Sequence, residues 1–276
     1  MNSSWLVAAA ALSLVQAAPP TPAKPAPTVS ATAKETRPRI FIASDSTAAR
    51  YTRSQYPQMG WGMFLQCMVP TDLQVIDMAH GGRSTKTYVS DGFWQQLLDQ
   101  LKPGDTVLIQ FGHNDEDRTK MYRHVDPPQY AENLTKFVAD VRARQGKPIL
   151  ITPIARDEFN ADGTIKETHG AWAQAVHQVA ADTHTPLIDL DARAQAFFGH
   201  VGAGKADRYY MIYTPADHIA RFPQGHHDTT HLNELGARVA AVLVGQGLKS
   251  IDGPLAREVH TPDPATITAH GSPTCW

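Results

Sequence analysis

Two stretches of this chain carry the residue types of nucleophilic catalysis. Ile40-Phe41-Ile42-Ala43-Ser44-Asp45-Ser46-Thr47 is an apolar, strand-like run that ends in hydroxyls, and Gly225-His226-His227-Asp228-Thr229-Thr230-His231 sets a carboxylate and an imidazole three residues apart. A serine hydroxyl is a weak nucleophile at neutral pH. It needs a base to take its proton and an acid to fix the tautomer of that base. Ser46, Asp228 and His231 supply the three parts in the order Ser, Asp, His, which points to a serine hydrolase. Attack by serine on an acyl carbon builds an oxyanion, so donors must face the developing charge. Gly82, in Gly81-Gly82-Arg83-Ser84, lacks a Cβ and lets its backbone N–H come close to a substrate. Asn114, in Gly112-His113-Asn114-Asp115, offers a side-chain amide. Ser46 adds its own N–H if it opens a helix.

These residues need elements to hold them. Five short apolar runs read as buried strands, at 39–43, 73–78, 106–111, 148–152 and 186–190. Helical spacing or composition occupies 62–68, 93–101, 128–144 and 170–183, and a last amphipathic helix is expected over 233–244. Strands alternating with helices, and strands apolar without clean alternation, predict an α/β fold whose parallel sheet is covered on both faces. Right-handed crossovers then gather the loops after the strands along one edge, where open α/β sheets bind ligands. Ser46, Gly82 and Asn114 follow the first, second and third runs, and Asp228 and His231 precede the last helix. One domain is expected over 39–249, with a loop-like, proline-interrupted tail over 250–276.

The chain has 276 residues, a net charge of −2 and a pI near 6.7, which excludes the basic excess of a nucleic-acid-binding surface. Residues 1–17 read as an export signal: an alanine-rich apolar stretch from Trp5 to Val15, followed by the small-residue pattern Val15-Gln16-Ala17. No membrane attachment is expected once it is removed, and the protein is expected to be periplasmic or secreted and monomeric. Residues 18–38 are rich in Pro, Ala and Thr and read as a linker. The two cysteines, Cys67 and Cys275, either pair or stay separate.

The segments Ser44-Asp45-Ser46-Thr47, Ala79-His80-Gly81-Gly82-Arg83-Ser84, Gly112-His113-Asn114-Asp115 and Asp228-Thr229-Thr230-His231 together resemble the four motif blocks of the SGNH, or GDSL-type, hydrolases. They occur in the family's order. Asp-Ser-Thr at the nucleophile, Gly60-Trp61-Gly62 after it, Gly-Arg-Ser in the second block and Phe111-Gly-His-Asn-Asp in the third are similar to rhamnogalacturonan acetylesterases. The resemblance implies Ser46 as nucleophile, Asp228 and His231 as its partners, and Gly82 and Asn114 as oxyanion donors. It also implies a three-layer α/β/α sandwich around a mainly five-stranded parallel sheet of flavodoxin-like type, with no cofactor and no metal. The substrate it implies is an acetylated polysaccharide or oligosaccharide, with a pectic backbone favoured over xylan. The family's usual glycine before Asp-Ser is Ser44 here, whose Cβ raises the expectation of crowding at the strand end.

Other roles compete for the same residues. Ser46 alone suits a helix N-cap, Gly82 a tight turn, and Asn114 an Asx-turn. His226, His227, Asp228 and His231 invite a zinc site, but adjacent histidines do not normally face one ion and no zincin motif is present. Arg83, Lys86 and Arg156 are candidate clamps for a uronate carboxylate. Trp61 is a candidate sugar platform, with core packing as the alternative, and His113 is a candidate pocket residue.

Overall fold

Alternate residues of the apolar run at Ile40 face two different cores, and that division organises the molecule. In this computed structural model, which describes residue 1, residues 37–251 and residues 253–275, the run forms β1 (Ile40–Ser44). The expected leader, and the linker as far as residue 36, lie outside the described residues. Ile40 and Ile42 join one apolar cluster while Phe41 and Ala43 join the other. The same split recurs in β3 (Thr106–Gln110) and β4 (Lys147–Ile151), where Leu108, Ile149 and Ile151 face one core and Val107, Ile109 and Leu150 the other. Burial on both faces is why these runs carry no polar alternation.

The sheet is parallel, in the order β2-β1-β3-β4-β5, with β2 at Val75–Asp77 and β5 at Leu187–Ile188. One face is covered by α1 (Thr85–Ser90), α2 (Phe93–Gln100), α3 (Pro127–Ala143) and α4 (Gly170–Asp182). The other is covered by a 3-10 segment, Trp61–Met68, by α5 (Leu190–Val201) and by α6 (Glu234–Lys249). This is the three-layer arrangement. In α3 the side chain of Asp126 accepts from Gln129 N at 3.1 Å, prolines fill the first turn, and Tyr130, Leu134, Phe137, Val138 and Val141 form one buried stripe.

Four elements differ from the sequence expectation. Residues 61–68 coil as a 3-10 segment. Strand β5 is only two residues long, because Asp189 caps a helix that begins at Leu190. The final helix is not amphipathic: Gly236 to Val244 are all buried, because the 61–68 segment and the returning tail cover its outer side. A second, antiparallel sheet pairs β6 (Tyr210–Tyr213) with β7 (His226–Leu232). The motif read as a loop before the last helix therefore lies on a strand.

Beyond Ser250 a short helix, α7 (Pro254–Glu258), leads into a segment whose Val259 and Ile267 are buried in the core. Cys67 and Cys275 form a disulfide, the pairing that the sequence left open. Arg238 of α6, 1% exposed, ion-pairs with Glu234 and donates to the carbonyls of Ser272, Thr274 and Cys275. Removing one partner of such a buried pair strands the other in a low dielectric. Arg238→Met should cost ~3–5 kcal/mol, read as a lower urea midpoint, and an unchanged midpoint would show that the tail is held without this guanidinium.

Candidate active site

Strands β1 and β3 are neighbours, yet their connections run to opposite sides, which opens a crevice beyond their C-terminal ends. Ser46 follows β1 in a tight turn and does not open a helix. Asp45 shapes that turn, its Oδ1 accepting from Thr47 N at 2.9 Å and from Thr47 Oγ1 at 2.8 Å. Behind it, Trp61 N donates to Thr47 O and Gly62 N to Ala48 O, at 2.9 and 3.1 Å. The approach is so close that a Cβ on Gly60 would sit 2.2 Å from the Ala48 carbonyl carbon, which gives the glycines around Trp61 their physical reason. Tyr51 fixes the turn from the front, donating from its hydroxyl to Ser46 O at 2.8 Å.

Gln110, at the end of β3, ties this assembly together. Its Oε1 accepts from Ser44 Oγ at 3.0 Å and from Trp61 Nε1 at 2.8 Å, while its Nε2 donates to Thr47 Oγ1 at 3.1 Å. Ser44 therefore does not crowd the strand end. Its register with Gln110 is kept, and its hydroxyl adds a bond that glycine lacks. Trp61, fully buried, is a core residue and not a sugar platform.

Strand β7 brings the remaining groups to Ser46. Asp228 Oδ1 accepts from the backbone N–H of Thr230 and of His231, at 2.9 and 3.0 Å, and Oδ2 lies 2.7 Å from His231 Nδ1. A carboxylate can only accept, so Nδ1 carries the proton and Nε2 presents its lone pair to Ser46 Oγ, 2.9 Å away. Burial alone would raise the Asp228 carboxyl, but the His231 ring and the two backbone donors outweigh it and hold the group well below the usual carboxylate range.

Gly82 takes a left-handed φ of +78° that glycine tolerates, and it lines the same cavity as Ser46, Asn114 and His231. Asn114 Nδ2 donates one hydrogen to Arg83 O at 2.9 Å, which orients the amide and leaves its second hydrogen free. Arg83 itself does not line the cavity. Its guanidinium pairs with Asp91, donates to Gly81 O and lies over the Phe93 ring. Lys86 is likewise absent from the cavity wall.

The cavity, about 720 Å³, has a wall of charged and hydroxylic groups that sequence reasoning largely missed. Arg156 lines it and bridges Glu116 to the Thr230 hydroxyl, so it ties the third motif block to the fourth. Glu116 also faces His169 Nδ1 at 3.2 Å, while His169 Nε2 lies 2.7 Å from Ile154 O. Both partners are acceptors, so the ring donates twice. Burial is the largest single influence and pulls its pKa down, but Glu116, Asp191 and the Ile154 carbonyl together outweigh it and the net shift is upward. His113 stands edge-on to His169 and finds no partner for either ring nitrogen among the described residues. Burial first, and then the neighbouring charges of His169 and Arg156, hold His113 well below its ordinary value and thus neutral.

His113, Glu116 and His169 are close enough to share an ion. The donor set does not suit one, because Arg156 and His169 already occupy both oxygens of Glu116 and both His169 nitrogens are engaged. Of the residues weighed for zinc, His226 stacks on Phe222 with its Nε2 4.0 Å from Asp228 Oδ2, and His227 is exposed. A second cavity, about 630 Å³, opens at the opposite, N-terminal edge of the sheet beside Ile40 and Ile149, and contains none of these residues.

The chain is similar to several known proteins. A model of the GDSL-like lipase/acylhydrolase family matches residues 45–239. A probable rhamnogalacturonan acetylesterase of Bacillus subtilis (strain 168), YesY, is 36% identical over 221 residues, covering 80% of this chain and 96% of its own length. The rhamnogalacturonan acetylesterase RhgT of the same organism is 31% identical over 219 residues, 79% of this chain and 92% of its own. The crystal structure of Bacillus subtilis YxiM superposes with a TM-score of 0.67 at 28% identity, over 78% of this chain and 56% of that one.

Two carboxyls beneath the site are buried without a full set of partners. Asp45 is raised above its ordinary value, chiefly by burial. Asp115 accepts from Thr85 N and Thr85 Oγ1 through Oδ1 only, and burial pushes it up to about 8. In the unfolded chain an aspartate titrates near ~3.9. Between those values the native state keeps a proton that the unfolded chain has lost, so this residue makes stability fall as pH rises. Asp115→Asn cannot ionise and still accepts from Thr85. Its melting temperature relative to the parent should climb between roughly pH 4 and pH 8 and level off above; a difference that does not vary with pH would show that Asp115 is already ionised in the fold.

Proposed function

The chain belongs to the GDSL-like lipase/acylhydrolase family, and from that premise we propose that it is a serine esterase removing O-acetyl groups from plant cell-wall polysaccharide, with rhamnogalacturonan the favoured substrate. The observation that carries the reading is the unbroken Asp228–His231–Ser46 hydrogen-bond chain opening into the cavity that Gly82 and Asn114 also line. The relatives named as rhamnogalacturonan acetylesterases support the sugar. The wall supports it too, since Trp172 is its only large apolar side chain and a lipid tail would find little to bind.

In this mechanism His231 Nε2 takes the Ser46 proton as Oγ attacks the acetyl carbonyl carbon. The carbonyl oxygen becomes an oxyanion facing the Gly82 backbone N–H and the free amide hydrogen of Asn114. Asp228 stabilises the imidazolium. The tetrahedral intermediate collapses, the bond between the acyl carbon and the sugar oxygen breaks, and His231 gives its proton to that oxygen as the sugar alcohol departs. Water then loses a proton to His231 and attacks the acetyl-enzyme, which releases acetate and restores Ser46. The apolar stretch at residues 5–15 supports the further reading that the enzyme is exported.

The test is acetate release from acetylated rhamnogalacturonan and acetylated xylan, side by side. The pectic substrate should give the higher kcat/KM, and a preference for xylan would replace the proposed substrate while keeping the chemistry. Ser46→Ala should lose at least ~10⁴-fold in kcat on either polymer, and Asn114→Ala ~10²–10³-fold. Turnover by Ser46→Ala at the parental rate would remove Ser46 from the mechanism.

A further inference from the structure

The charges around the cavity do not balance evenly. Its three acidic lining residues are all engaged: Asp228 with His231, Glu116 with Arg156 and His169, and Asp117 with Arg123. Two of its cations are not. Arg118 and Lys120 line the cavity, are exposed, and make no side-chain hydrogen bond or ion pair with any described residue. The rim of an otherwise compensated pocket thus carries two free positive charges.

These cations sit on an ordered loop. Asp117 Oδ1 accepts from Thr119 N and Thr119 Oγ1 at 3.0 and 2.5 Å, and its Oδ2 accepts from Arg123 Nη2 at 2.5 Å. Thr119 first and Arg123 second hold the Asp117 carboxyl at about 2. Lys120 O accepts from the backbone of Arg123 and His124 at 3.0 and 3.1 Å, and Arg123 Nη1 donates to Gly82 O at 3.3 Å. The loop is therefore built onto the same glycine that lines the reaction site. Its tip holds Met121 and Tyr122, 67% and 66% exposed. An exposed aromatic beside two uncompensated cations is the composition that binds an acidic sugar: a flat apolar face for the ring, and point charges for the carboxylate.

We propose that the 117–123 loop reads the carboxylate of a uronate flanking the acetylated sugar, with Arg118 and Lys120 as the residues that make this esterase favour an acidic polysaccharide over a neutral one. The inference rests on the saccharide acetylesterase reading and assigns its specificity to a loop outside the reacting groups. Arg123 acts indirectly, by holding the loop against Gly82.

The test compares one acetylated rhamnogalacturonan oligosaccharide in two forms, with its uronate carboxyls free or methyl-esterified, by acetate release. The ratio of kcat/KM for the two forms does not depend on how much enzyme is active, so a poorly folded variant cannot mimic the result. The parent enzyme should favour the free acid by roughly tenfold at low salt, the size of two exposed charge pairs. That preference should fade towards about 1 M salt, as the screening length shrinks. Arg118→Gln with Lys120→Gln should bring the ratio near one, and Lys120→Glu should invert it. A double variant that keeps the parental ratio, or a parent that treats both forms alike, overturns the inference and leaves the esterase reading intact. Hydrolysis of an aryl acetate with no acetate from either oligosaccharide overturns the saccharide reading itself, and this inference with it.

Discussion

Everything in this molecule answers to one contact, the 2.9 Å approach of His231 Nε2 to Ser46 Oγ across 185 positions of sequence. Neither residue can move alone. Ser46 sits on a turn bonded to Trp61, Gly62, Tyr51 and, through Ser44 and Thr47, to Gln110. His231 sits on a strand that β6 pairs from one side, while Arg156 and the Asp157 N–H hold Thr230 and Thr229 from the other. The parallel sheet supplies the fixed reference for both, because the Ser44–Gln110 register places the ends of β1 and β3 at one level. The proton relay proposed for these residues demands sub-ångström placement. Here that precision comes from backbone bonds and close packing more than from the reacting side chains themselves.

The parts of the design that were legible from residue order are those with local signals. Apolar runs without alternation marked β1, β3 and β4, because burial on both faces leaves no position for a polar residue. Ser46, Asp228, His231, Gly82 and Asn114 stand in short motifs, and the fold gathers all five around one cavity. The illegible parts depend on the third dimension. Strand β7 is His226-His227-Asp228-Thr229-Thr230-His231-Leu232, only partly buried and mostly polar, and pairing with β6 rather than hydrophobicity makes it a strand. Residue type alone leaves Trp61 a candidate platform beside the favoured core role, and only the buried acceptor at Gln110 Oε1, distant in sequence, decides for the core. His169 lies 53 residues from Glu116 in a segment with no motif, so nothing in the order of residues announces their contact. Glu116 had a weak signal, since it continues the Gly112–Asp115 block.

The pocket also shows how a polar interior can be kept from collapsing into internal ion pairs. Glu116 accepts from Arg156 on one oxygen and His169 on the other, and neither rim residue, Arg118 or Lys120, pairs with it among the described residues. Asp117 is likewise engaged by Thr119 and Arg123. His113, held neutral, lines the cavity without adding to its charge, with both ring nitrogens buried and unpartnered among the described residues. Internal compensation beneath the surface therefore preserves free hydrogen-bonding capacity at the surface, where an incoming hydroxylated molecule must replace its water.

The way residues 272–275 close on α6 ties distant parts of the chain to one cation. Three of the four acceptors of the buried Arg238 guanidinium are carbonyls of residues 272–275. Arg238 in turn lies over Phe64, in the segment that backs the Ser46 turn. Residues 272–275 thus supply most of the hydrogen bonds to a guanidinium buried beside the Phe64 ring. Pulling that short stretch away would strand a cation behind the nucleophile's turn, so it acts as a keystone for a cavity it does not line.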